Sequence, residues 1–183
     1  MKFKQIVRRK GMLMLFLIVV AGNNITAQEN NYKIEVKQMD GIKALVIKAD
    51  IPTAEIADNM GPLFGKLMNY MQENGVAPEG PPFAVYYSFD PEGNTVFELG
   101  APVASVCEGN GEIEFKEYPP TKAVSTMFVG AYTGMMPVYE AMDKYMKDNN
   151  LQQEGIVWEV YYTNPSEVAP EENQTLIYYP LKD

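Results

Sequence analysis

Phe83-Ala84-Val85-Tyr86-Tyr87 and Trp158-Glu159-Val160-Tyr161-Tyr162 are one strand written twice, 75 residues apart. The repetition continues in order on both sides. Ile34-Glu35-Val36-Lys37 matches Ile113-Glu114-Phe115-Lys116 at an offset of 79, and Ala44 matches Ala123 at the same offset. Tyr70-Met71 matches Tyr145-Met146 at 75, and Ala101-Pro102-Val103 faces Tyr179-Pro180-Leu181 at 78. Small insertions account for the drift. The ordered series points to an internal duplication, with half one over about 32–107 and half two over about 111–183.

Each half has the same order of elements. Tyr32 to Met39 alternates with period two and reads as a strand, Asp40-Gly41 as a turn, and Ile42 to Ala49 as the partner strand of a hairpin. Ile56, Met60, Leu63, Phe64, Leu67, Met68 and Met71 recur at spacings of three and four, which is one helix face ended near Asn74-Gly75. Pro81-Pro82 then precedes a strand over Phe83–Phe89, and the turn Asp90-Pro91-Glu92-Gly93-Asn94 leads back through Thr95 to Leu99. Half two gives strands near Glu112–Glu117 and Ala123–Phe128, a helix from about Gly134 to Asn149, and strands near Ile156–Thr163 and Thr175–Tyr179. The fold class expected is α+β: duplicated hairpin–helix–hairpin halves with antiparallel sheets and one main helix each. One such half leaves a sheet face short of cover. Two halves about a pseudo-twofold axis cover each other and put a cleft at the axis.

Composition removes whole classes of chemistry. The 183 residues contain no His and one Cys. Serine triads, an axial histidine for haem and Cys-based zinc sites are therefore unsupported, as is an intrachain disulfide. The sequence calls for no metal and no cofactor.

The first 27 residues read as an address. Lys2, Lys4, Arg8, Arg9 and Lys10 precede the apolar run Gly11–Gly22, and Ile25-Thr26-Ala27 offers a small residue before Gln28. That run is too short for a membrane span and suits a signal peptide cleaved after Ala27, with an uncleaved anchor as the alternative. The expectation is an exported protein, periplasmic or extracellular, without a stable membrane span after cleavage. Residues 28–183 hold ten Lys, no Arg and 24 acidic residues, for a net charge of −14. Such a surface is a poor match for phosphate backbones, so no nucleic-acid partner is expected. It favours cations at pocket mouths.

Glu159 stands out because its repeat counterpart is Ala84. On a strand it shares a face with Val157 and Tyr161, while Trp158, Val160 and Tyr162 point the other way. A carboxylate between apolar faces must be neutralised, hydrogen-bonded or paired. Tyr hydroxyls are the resident donors to expect, and an incoming cation is the expected visitor. An edge strand would instead leave Glu159 facing solvent. All 12 Tyr follow residue 31, often in pairs, and their flat faces suit stacking on planar ligands. Tyr161 and its repeat mate Tyr86, with Tyr132, Tyr139 and the adaptable Met136, complete the expected ligand-binding set.

Gly130-Ala131-Tyr132 opening the second helix, followed by Trp158-Glu159-Val160-Tyr161 on the next strand, resembles the GyrI-like small-molecule-binding domain. This is also the effector-binding domain of AraC- and MerR-type multidrug regulators. The resemblance covers Tyr32 to Leu181 and implies that Glu159 meets a lipophilic cation while aromatic rings stack on it. It is expected here as a stand-alone secreted domain, which sets transcription control and gyrase binding aside. The expected function is binding of an amphipathic, cationic aromatic small molecule in a central cleft. One alternative is an enzyme, as in relatives that hydrolyse strained electrophilic rings, with Glu159 as base or nucleophile and Tyr161 or Tyr132 as acid or orienter. Another is a protein-interaction module without a ligand pocket.

Overall fold

The computed structural model describes residues 32–182. The signal-peptide reading of residues 1–27 lies outside them. Among the described residues no helix is long and apolar enough to cross a membrane.

The duplication is realised as one curled antiparallel sheet under two helices. Half one supplies β1 (Glu35–Met39), β2 (Ile42–Pro52), α1 (Ile56–Glu73), β3 (Phe83–Phe89) and β4 (Asn94–Pro102). Half two supplies β5 (Ile113–Tyr118), β6 (Thr121–Val129), α2 (Met136–Asp148), β7 (Val157–Tyr161) and β8 (Gln174–Pro180). The strand order is β1-β6-β8-β7-β3-β4-β2-β5. It is a palindrome of the repeat, with β7 beside β3 at the centre.

The α+β class, the two halves and the single main helix in each are as the sequence implies. The first hairpin of each half is not. β1 does not pair with β2 across Asp40-Gly41; it crosses to β6, with Met39 opposite Thr121. In return β5 pairs with β2, with Tyr118 opposite Ile42. The β5–β6 junction is Pro119-Pro120, which offers no backbone N–H to close a hairpin. The two junctions also pack on each other. A Cβ on Gly41 would meet the Tyr118 carbonyl oxygen at 3.1 Å and Pro120 Cδ at 3.2 Å, so only glycine passes without displacing the chain. Each half thus lends its outermost strand to the other, and eight strands become one sheet.

The helices end alike but with different residues. Gly75 takes the left-handed turn after α1 at φ 66°, and Asn150 takes it after α2 at φ 53°. Val76 and Leu151 then donate back to Met71 and Met146, closing each C-terminus. The other start differs: Pro137 lies in the first turn of α2, whereas its repeat mate Pro62 is inside α1, which begins earlier at Ile56.

One sheet face carries the helices. Leu67 and Met71 of α1 pack on Leu45, Ile47, Phe97, Leu99 and Ile113; Val138 and Met142 of α2 pack on Val124, Phe128 and Ile177. The opposite face, folded on itself by the curl, buries Phe83, Val85, Trp158, Val160 and Leu176. Gly100 keeps that fold tight, since a Cβ there would lie 2.3 Å from the Phe83 ring.

Candidate functional site

The pseudo-twofold axis passes between β3 and β7. There Glu159 is paired directly with its own repeat counterpart, Ala84. The register extends the row across the sheet as Thr126, Ile177, Glu159, Ala84, Leu99 and Ile47, all on the helix face. The duplication therefore puts a carboxylate at the centre of the sheet and leaves a methyl group opposite it.

Glu159 is only 8% exposed, so the solvent-facing alternative does not hold. Tyr139 of α2 donates its hydroxyl to Oε1, and Tyr161 donates to Oε2 at 2.8 Å. Tyr86 joins through a hydroxyl contact of 3.3 Å with Tyr161. Phe64 of α1 meets the Tyr161 ring edge-on at 5.8 Å, and Tyr132 does so at 6.2 Å. Among the described residues no lysine pairs with Glu159.

The electrostatics follow from that list. Burial raises the Glu159 pKa above its ordinary value, and the hydrogen bonds from Tyr139, Tyr161 and Tyr86 pull it down too little to compensate. Burial and the neighbouring carboxylate both push the Tyr161 and Tyr139 phenols up, so they remain donors. The cluster is a carboxyl group solvated by phenols alone, which stabilise negative charge less well than a cation does.

The site is asymmetric beyond Glu159. Tyr86 faces Phe97 across β3–β4, and their rings pack 5.6 Å apart. The equivalent Tyr161 faces Thr175 across β7–β8. Ile47 on β2 is likewise replaced by Thr126 on β6. Thr126 and Thr175 are 2% and 0% exposed, and neither hydroxyl has a hydrogen-bond partner among the described residues. A buried unpaired hydroxyl costs about 1–3 kcal/mol.

Five of the six residues expected at the site come together: Glu159, Tyr161, Tyr86, Tyr139 and Tyr132. Tyr132 is 39% exposed at the rim. Met136 stands apart, 60% exposed in the first turn of α2. At the axis the carboxylate is covered by Tyr139 of α2 and by Tyr161, on which Phe64 of α1 packs edge-on. Cavities of about 330 and 500 Å³ lie elsewhere, one along Val46, Lys48, Glu98 and Glu114, the other along Lys66, Tyr70 and Asn110. The threonines escaped the sequence reading. Setting Phe97 against Thr175 in the repeat would have exposed them.

Residues 32–182 match the family described as the GyrI-like small molecule binding domain. The chain belongs to this family. The C-terminal domain of EcmrR has this GyrI-like fold at a TM-score of 0.74 and 19% identity, over 84% of this chain and 99% of that one. A hydrolase from Listeria innocua is similar at 0.60 and 15%, over 82% and 92%. SAV2435, solved bound to tetraphenylphosphonium, is similar at 0.59 and 11%, over 82% and 94%. At these identities the likeness is one of fold. No curated protein matches the sequence. In this GyrI-like domain the buried carboxylate lies where the two halves meet.

Proposed function

We propose that this domain binds an amphipathic, cationic aromatic small molecule, with Glu159 as the charge partner of the cation. The observation that carries the reading is a central carboxyl group, 8% exposed, whose hydrogen-bond donors are phenols and which has no cationic partner among the described residues. A bound cation would meet the ionised carboxylate in a low-dielectric setting, where the attraction is strong. Tyr86, Tyr132, Tyr139 and Tyr161 would present ring faces to it. The tetraphenylphosphonium complex of SAV2435 supports the same ligand class. Because Glu159 is only 8% exposed, entry requires a side chain to give way. Tyr132, held edge-on at the exposed rim by one short turn, is the residue placed to do so.

Thermal unfolding of the purified protein with tetraphenylphosphonium, beside neutral triphenylphosphine oxide, tests this. At 100 times its dissociation constant a ligand stabilises by about 2.7 kcal/mol. The cation is expected to raise the melting temperature of wild type and not of Glu159→Gln. Equal binding by the variant overturns the proposal.

A second reading rests on the 2.8 Å contact between Tyr161 and Glu159. A carboxylate of raised pKa beside a phenol donor suits general-base or nucleophilic attack on a small electrophilic ring, with the Listeria innocua hydrolase as a neighbour in fold. Turnover of an epoxide by wild type and not by Glu159→Gln would favour it. The proposal also places the domain in an exported protein, on the strength of Met1–Ala27. Recovery of the protein in the cytoplasmic fraction with residue 1 intact would remove that part.

A further inference from the structure

Thr175 and Thr126 are the second and third polar substitutions that separate the site-bearing half from its twin. They replace Phe97 and Ile47 on the helix face. Both are fully buried, and valine has almost the same shape without a hydroxyl to satisfy. Folded proteins rarely leave such groups unpaired, and the two lie together on neighbouring strands, diagonal to each other across β6–β8. Thr175 is one strand from Glu159, and Thr126 is two strands away across Ile177. At the usual strand spacing, with Thr175 diagonal to Glu159, this places both hydroxyls roughly 8 to 10 Å from the carboxylate. The Tyr132 phenol lies close enough to Thr175 for the threonine hydroxyl to lower its pKa, but outside good hydrogen-bond geometry.

We infer that the ligand carries, besides its positive charge, a hydrogen-bonding group that pairs with the buried hydroxyls of Thr175 and Thr126. This rests on the reading of Glu159 as the charge partner and narrows the ligand class. Hydroxylated aromatic amines fit it better than wholly hydrocarbon onium ions. A site built around a buried hydroxyl discriminates strongly against the analogue that lacks the partner.

The probes are tyramine and phenethylamine, which share an ammonium group and differ by one phenolic hydroxyl. Their affinities are measured by calorimetry on wild type, Thr175→Val, Thr126→Val and Glu159→Gln, with tetraphenylphosphonium as the reference cation. Wild type is expected to bind tyramine at least tenfold more tightly than phenethylamine. Thr175→Val should bring that ratio close to one while leaving phenethylamine binding unchanged. The valine variants should melt no lower than wild type, which separates a lost contact from a damaged fold. Equal affinity for the two amines in wild type overturns the inference, as does a ratio that both valine variants preserve. Binding of tetraphenylphosphonium without binding of either amine also overturns it while leaving the Glu159 reading in place. If no cation binds, or Glu159→Gln binds all of them as wild type does, the underlying reading falls and this inference falls with it.

Discussion

Two glutamates in this domain expose equally little surface and have opposite fates. Glu98 on β4 and Glu159 on β7 are each 8% exposed, and each accepts hydrogen bonds from two tyrosines. Glu98 lies on the sheet face away from the helices, where Tyr87 and Tyr118 donate to Oε2 at 2.6 Å each. It also has Lys116, whose Nζ lies 2.9 and 2.7 Å from the two carboxylate oxygens and packs against both tyrosine rings. Burial pushes the Glu98 pKa up, but Lys116 and the two phenols together outweigh it and bring the pKa below its ordinary value. Glu159 lies deeper in the interior, so burial wins there, and among the described residues only phenols oppose it. Burial alone therefore does not mark a binding site. The Glu98 cluster is complete and fastens edge strand β5 over β2 to β4. Among the described residues the Glu159 cluster has no cation, and that gap is the reason to expect one from outside.

The comparison breaks hardest if Lys116 is removed. Lys116→Met leaves Glu98 buried beside two phenols, which is the arrangement around Glu159. Breaking a fully buried pair costs about 3–5 kcal/mol. The Lys116 side chain is 38% exposed, so solvent screening reduces this, and a loss of about 2 kcal/mol at neutral pH is expected in urea unfolding. Adding Glu98→Gln to Lys116→Met should recover much of the loss, because no uncompensated charge then remains. A Lys116→Met protein as stable as wild type would mean that phenols suffice to hold a buried carboxylate, and the argument from Glu159 would weaken accordingly.

Acid and base sharpen the contrast through sign. Glu98, with a lowered folded pKa, contributes stability that is present above its ordinary value of 4.5 and lost as pH falls through the folded value. Glu159, with a raised folded pKa, contributes stability that is present below 4.5 and lost as pH rises through the folded value. Glu159→Gln should therefore gain stability relative to wild type as pH rises from 4.5 to 8. Glu98→Gln should be less stable than wild type at pH 8, with the loss shrinking in acid. Denaturant midpoints of both variants across that range settle the signs. The same logic makes binding of a permanently charged cation tighten as pH rises.

The sequence reading reached the duplication, the element order and Glu159 through the same device, alignment of the chain with itself. It reached Glu159 because a glutamate opposite an alanine is a conspicuous mismatch. It missed Glu98, whose mate Leu176 differs just as much, because Lys116 and Tyr118 come from a strand 18 to 20 residues away that only the fold brings close. The β1–β2 hairpin failed for a related reason. Alternation identifies a strand but not its partner, and nothing local to Asp40-Gly41 reveals that Pro119-Pro120 occupies the space beside it. Tyr139 was legible as a helix-face aromatic, whereas its donation to Glu159 depends on how α2 settles on the sheet.

The finest distinction between the clusters lies in what one phenol is worth. Tyr87→Phe removes one donor from Glu98, which keeps Tyr118 and both contacts with Lys116. Tyr139→Phe removes one of two phenols that donate directly to Glu159. Each loss is expected to cost about 0.5–1.5 kcal/mol, the usual net worth of a hydrogen bond. Their pH dependence should differ. With Lys116 in place Glu98 stays ionised, so the cost of Tyr87→Phe is nearly flat between pH 5 and 8. Without a cation Glu159 answers the loss of Tyr139 by holding its proton more firmly, so the cost of Tyr139→Phe is smaller at pH 5 and grows toward pH 8. Urea titrations of both variants at those two pH values measure the difference. Equal slopes would mean that Glu159 is as well compensated as Glu98, and that the centre of the sheet already holds what it needs.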